Sequence, residues 1–129
     1  SAPIQLAVHP TQLSVVAIGT HTGLFLSTDS GATFTRLGPA VPVTAVTWSP
    51  ADGHLLFGST TLTRYAMDQG QPTPVSMPTT DLLVALAVNP TAAHDLAVAT
   101  HERDVYRSED GGQTWTQLAD TGRVVNRTE

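Results

Sequence analysis

Three prolines stand forty residues apart, Pro10, Pro50 and Pro90, and the residues around them repeat. The chain reads Leu6-Ala7-Val8-His9-Pro10-Thr11, then Ala45-Val46-Thr47-Trp48-Ser49-Pro50, then Leu86-Ala87-Val88-Asn89-Pro90-Thr91. The first and third copies differ at one residue in six. A fixed period of this length restricts the fold to stacked arrays. A unit of about forty residues cannot bury its own apolar face and must pack against a neighbouring copy.

Each proline is followed by a polar turn and then by three more β-rich runs. The second run of each unit is Val15–Thr20, His54–Ser59 and Asp95–Thr100, and the third is Gly23–Ser27, Leu62–Met67 and Asp104–Ser108. The fourth is Thr33–Leu37, Pro74–Met77 and Thr114–Leu118. The runs are rich in Val, Leu, Thr and aromatics and are bounded by Gly, Pro, Asp and Ser, which reads as short strands joined by turns. No apolar pattern holds a 3.6-residue period long enough for a helix. Four short strands per unit is the composition of a propeller blade. The expected fold is all-β: three four-stranded antiparallel blades over about 3–42, 43–81 and 82–122, with a tail at 123–129, forming one propeller segment. The first strand of each blade is expected to line the central channel with small side chains such as Ala7, Ala45 and Ala87. An open β-sandwich is the alternative, but a sandwich has no reason to repeat at a fixed period.

Between the third and fourth strands of two units stands one motif. It is Ser27-Thr28-Asp29-Ser30-Gly31-Ala32-Thr33-Phe34 in the first and Ser108-Glu109-Asp110-Gly111-Gly112-Gln113-Thr114-Trp115 in the third. Both read S-x-D-x-G-x-T-aromatic. Asp29 and Asp110 are placed to accept backbone N–H bonds from their own turn. Gly31 and Gly112 allow positive φ. Thr33 and Thr114 open the next strand, and Phe34 and Trp115 supply the apolar bulk that staples the loop to the blade. The middle unit has a worn copy, Met67-Asp68-Gln69-Gly70-Gln71-Pro72, which keeps an Asp and a Gly only.

These residues resemble the Asp-box, or bacterial neuraminidase repeat, of sialidases, sortilin-type receptors, photosystem II assembly factors and secreted glycosidase-like propellers. Gly19-Thr20-His21-Thr22-Gly23-Leu24-Phe25 and Ala99-Thr100-His101 are also similar to bacterial glycosyl-hydrolase-type propellers. The resemblance implies that the box is structural and faces away from any substrate. It also implies an extracytoplasmic or secreted location.

The net charge of −5 opposes a nucleic-acid or anionic-membrane partner. No apolar run reaches the ~18 residues of a membrane span. The absence of Cys excludes disulfides, thiolate metal sites and a cysteine nucleophile. A first residue of Ser rather than Met is what a processed or trimmed product would carry. Asn126-Arg127-Thr128 is a sequon of the kind that arises by chance. An EF-type calcium loop needs several carboxylates and a closing Glu over about 12 residues, which neither box provides. No cofactor or metal is expected.

Ligand chemistry is expected at the end opposite the boxes, on the loops joining second to third strands and blade to blade. The candidates are His21, His101, Glu102, Asp104 and Asp81. The simpler reading makes His101-Glu102-Arg103-Asp104 a solvated turn. His21 and His101 match in register but lie two blades apart, too far to share a metal. His54 and His94 also match, at the box end, as turn residues. The sialidase resemblance would require three arginines around a carboxylate and a Tyr–Glu pair. Arg36, Arg64 and Arg107 fall on or beside outer strands, Arg103, Arg123 and Arg127 form no triad, and Tyr65 and Tyr106 lie on third strands. A glycosidase needs two carboxylates about 5–10 Å apart, for which Asp81, Glu102 and Asp104 are the available residues. No nucleophile elbow is present.

Propellers close with about 4–8 blades. Three blades leave two open flanks, so the expected partner is a second copy giving six blades, or the remainder of a longer propeller. The functional expectation is a non-catalytic binding or assembly module with a carbohydrate or protein ligand. The alternative is a glycoside hydrolase or a piece of one.

Overall fold

The computed structural model describes residues 5–125. The start of the first unit, the end of the tail, the sequon and Arg127 lie outside the described residues.

Thirteen strands build three antiparallel sheets among the described residues. Blade 1 is β1 (Gln5–Val8), β2 (Val16–Thr20), β3 (Gly23–Ser27) and β4 (Thr35–Leu37), paired in chain order. Blade 2 is β5 (Ala45–Trp48), β6 (Leu55–Gly58), β7 (Leu62–Ala66) and β8 (Gln71–Val75). Blade 3 is β9 (Leu83–Asn89), β10 (Ala92–Thr100), β11 (Val105–Ser108), β12 (Thr116–Asp120) and β13 (Arg123–Val124). The first strands stand in series, β1 against β5 and β5 against β9.

Several expectations change. The fourth strands of blades 1 and 3 begin at Thr35 and Thr116, two residues beyond the box threonines, and the second strand of blade 3 begins at Ala92 rather than Asp95. The tail begins as a strand: β13 folds back on β12, so the third sheet has five strands. Thr121 and Gly122 both have positive φ, at 50° and 84°, the two left-handed residues of a tight hairpin turn. The outer strand of blade 2 begins at Gln71 rather than Pro74, because the worn box is only a short turn. There the N–H groups of Gln69 and Gly70 both donate to the Ala66 carbonyl. Pro72 and Pro74 are tolerated in β8 because it is an edge strand, where a missing N–H breaks no second ladder.

The core lies in the seams between blades. Val15, Ala17, Leu24, Val43, Trp48, Leu55 and Tyr65 fill the seam between blades 1 and 2. Ala45, Leu56, Leu62, Leu83, Leu96 and Val98 fill the seam between blades 2 and 3. Side chains on a strand project to the two faces of its sheet, and here both faces of blade 2 and one face each of blades 1 and 3 meet a neighbouring blade. The small residues of the first strands follow this rule rather than lining a channel. Ala45 is buried in the second seam, Ala7 packs on the first, and Ala87 lies exposed on the open face of blade 3.

Register makes the three blades superimposable. Ile18 pairs with Phe25, Phe57 with Thr63, and Val98 with Tyr106. The incoming connectors repeat as well, since Val43 N–H donates to the Thr20 carbonyl at 2.8 Å and Leu83 N–H to the Ser59 carbonyl at 2.7 Å.

Candidate functional site

At one end of the blades stand the two intact boxes, and their geometry is the same. Ser27 Oγ donates to Asp29 Oδ1 at 2.8 Å and accepts the Gly31 N–H at 2.9 Å. Asp29 then accepts the Thr33 N–H at 2.9 Å and the Thr33 hydroxyl at 2.6 Å. In the third blade Ser108 donates to Asp110 at 2.7 Å and accepts the Gly112 N–H at 2.8 Å. Asp110 accepts the Thr114 N–H at 2.8 Å and also its hydroxyl. Donors aimed at the charged carboxylate hold both aspartates down to a pKa of about 2, the Thr33 and Thr114 hydroxyls contributing most. Every lone pair used this way serves the turn. The boxes are closed hydrogen-bonded units with little left for a ligand.

The aromatics of the two boxes behave differently. Trp115 Nε1 donates to the Ser76 carbonyl of blade 2 at 3.0 Å, while its ring packs on the second seam. Its box is therefore stapled to the preceding blade as well as to its own. Phe34 stands at the same box position in blade 1 and is 39% exposed.

At the opposite end the chain brings together three of the residues expected to carry chemistry. Asp81, Glu102 and Asp104 each place a carboxylate oxygen within 4.8 Å of the others. The connector into blade 3 supplies Asp81, and the turn from β10 to β11 supplies the other two. Asp81 accepts the Glu102 N–H at 2.9 Å and the Leu82 N–H at 2.8 Å. Asp104 accepts the Thr121 N–H at 2.7 Å. Two of the three carboxylates thus clamp three loops: the incoming connector, the β10–β11 turn and the β12–β13 turn. The Glu102 N–H is the main reason that the Asp81 carboxyl is held below the usual carboxylate range. Arg103 takes a positive φ of 68° within the turn.

His101 lies beside this cluster, its N–H donating to the Leu82 carbonyl at 2.8 Å. His21 is exposed in the β2–β3 turn of blade 1, away from the carboxylates. Two residues of the neighbourhood have no motif to mark them in the sequence, Tyr106 and Asp120. Burial raises the Tyr106 hydroxyl above its ordinary pKa, and the charges of Asp104, Asp120 and Asp81 raise it further. The only signal for them is their place in the repeat.

Two of the arginines are occupied elsewhere. Arg107 forms a two-point pair with Asp95, each contact 2.9 Å, and meets Glu109 at 3.2 Å. Arg64 contacts Asp52 at 3.4 Å. Neither points to a carboxylate-clamping triad.

Three antiparallel sheets with their first strands in series define a segment of a β-propeller. Solved propellers match it over most of its length. A GH74 enzyme from Niastella koreensis superposes with a TM-score of 0.71 at 22% identity, over 88% of this chain and 22% of that one. YCF48 bound to a D1 peptide superposes with a TM-score of 0.70 at 14% identity, over 92% of this chain and 40% of that one. An ancestral GH74 enzyme gives a TM-score of 0.70 at 15% identity, over 90% of this chain and 18% of that one. The chain spans well under half the length of each of these proteins, and the likeness is one of fold. The sequence matches no protein-family model and no curated protein.

Proposed function

We propose that this segment is a non-catalytic binding and assembly module that closes its ring by association, most simply with a second copy to give six blades. One observation carries the reading. Leu6 and Val8 are 64% and 49% exposed on the open face of blade 1. Their repeat equivalents, Val46 and Trp48 in blade 2 and Leu86 and Val88 in blade 3, pack into the two seams. Among the described residues, blade 1 therefore presents a seam surface that no other blade covers. The open face of blade 3 offers Ala87, Ala97 and Ala99 opposite such a surface, with Arg107 and its partners lower down. Two copies joined in this way close about a two-fold axis. Sedimentation of the chain at micromolar concentration tests the idea. A dimer that Leu6→Asp disperses supports it, and a monodisperse, folded monomer overturns it. An extracytoplasmic site of action is part of the same proposal and rests on the Asp-box resemblance.

A second reading has one observation in its favour: the convergence of Asp81, Glu102 and Asp104. Glycoside hydrolysis needs a carboxyl that is protonated near neutral pH, with its pKa raised. Asp81 is shifted the other way, and its oxygens and one of Asp104 are engaged by backbone N–H groups. Turnover of a chromogenic glycoside that Glu102→Gln abolishes would reverse the preference between the two readings.

A further inference from the structure

A cleft of about 210 Å³ opens between blades 1 and 2. Its walls are Leu24, Leu37, Val43, Phe57 and Thr63, with the connector residues Pro39, Val41 and Pro42 at the mouth. The same five wall positions recur at the seam between blades 2 and 3 as Leu62, Val75, Leu83, Val98 and Tyr106. There they form packed core. Four of the five positions differ in residue, and the largest loss of side-chain volume in the first seam is at the last. Tyr106 lays a phenol ring across the second seam, while Thr63 leaves that place in the first seam unfilled. Phe57 is larger than Val98 and returns part of the volume, yet the cleft remains.

We propose that this cleft is a binding site for a small ligand carrying a phenol-class ring. The missing group has the shape of the tyrosine ring that completes the neighbouring seam. The lining suits one: aliphatic walls and the prolines Pro39, Pro42 and Pro72 for the ring faces, and the hydroxyls of Ser59, Thr61 and Thr63 for a polar substituent. An apolar cavity of about 150 Å³ is already enough to hold benzene. The cleft is distinct from the open flanks of blades 1 and 3, so ring closure leaves it in place.

Phenol is the probe. Titrated into isotopically labelled protein, it is expected to bind saturably, with a dissociation constant on the order of 1 mM. The shifted resonances should cluster at Val43, Phe57 and Thr63. Thr63→Tyr supplies the ring from within, as Tyr106 does, and should abolish the shifts, whereas Thr63→Ser should keep them. Contacts between phenol ring protons and the methyl groups of Leu24 and Val43 in the unaltered protein provide a measurement that needs no variant to fold. The proposal is overturned by shifts that do not saturate, by shifts scattered over the surface, by binding that persists in a folded Thr63→Tyr variant, or by the absence of those contacts. None of these outcomes bears on whether the chain dimerises.

Discussion

The indole Nε1 of Trp48 donates to the carbonyl oxygen of Ala7 at 3.1 Å. Trp48 lies on β5 and Ala7 on β1, the first strands of adjacent blades, whose second edges carry no ladder. One side chain therefore satisfies an edge carbonyl of the neighbouring sheet and fills the seam beside it, where its ring also meets His9 at 4.7 Å. Trp48 is 5% exposed. Trp48→Phe keeps most of the packing and loses the hydrogen bond, an expected cost of about 1 kcal/mol. Trp48→Ala also opens a cavity and should cost about 3–5 kcal/mol. Urea unfolding of the two variants separates the terms.

The boxes make stability depend on acid. Asp29 and Asp110 have folded-state pKa values of about 2, below the unfolded value near 3.9. The stabilisation they give is complete above about pH 5 and is lost as the pH falls towards 2. Asp95, held at about 2 by Arg107 and Asn89, titrates in the same window. Unfolding midpoints should therefore fall between pH 5 and pH 2. The double variant Asp29→Asn, Asp110→Asn should be less stable at pH 6 and show a flatter acid limb.

Gly58 has no room for a side chain. A Cβ there would stand 1.8 Å from the Thr61 carbonyl oxygen, in the turn joining β6 to β7. The obstacle is backbone, so the turn itself must move. Gly58→Ala is expected to destabilise by about 1–3 kcal/mol. Gly112→Ala should do at least as badly, since its φ is 97° and its Cβ would meet Val75 at 2.4 Å. Thermal melts of both variants check this, with Gly38→Ala as a milder comparison: its φ is also positive, but nothing crowds it.

Asp81 holds the β10–β11 turn through the Glu102 N–H. Asp81→Ala should release that amide, raising its hydrogen-exchange rate several-fold while the β9 and β10 amides keep their protection. Asp104→Ala should do the same to the Thr121 amide. Exchange rates unchanged at both amides would show that the clamp is not what orders these loops.

Local chemistry made much of the architecture legible. The strand β3 falls at Gly23–Ser27 as the turn residues on either side require. Both boxes lie on the hairpins where their Ser, Asp and Gly spacing places them. Less legible were the elements whose signals conflict. The worn box, read as running to Pro72, pushed the expected outer strand of blade 2 beyond its true start at Gln71, because the edge position that admits Pro72 is a tertiary property that no local pattern states. Arg123 and Val124 looked like tail because two residues carry no strand period, although Thr121-Gly122 is a hairpin turn in plain sight.

For the candidate site, the sequence named Asp81, Glu102 and Asp104 from their loops, but not that Asp81 would cross 21 positions to bind the Glu102 amide. Repetition along the chain determined the blades, their number and their order, because each unit shows the same alternation of apolar and turn residues. Which faces are buried, where Trp48 and Trp115 reach, and that Thr63 leaves a cleft where Tyr106 closes one were decided only by stacking. A seam belongs to two blades at once, and its packing depends on pairs of residues some forty positions apart.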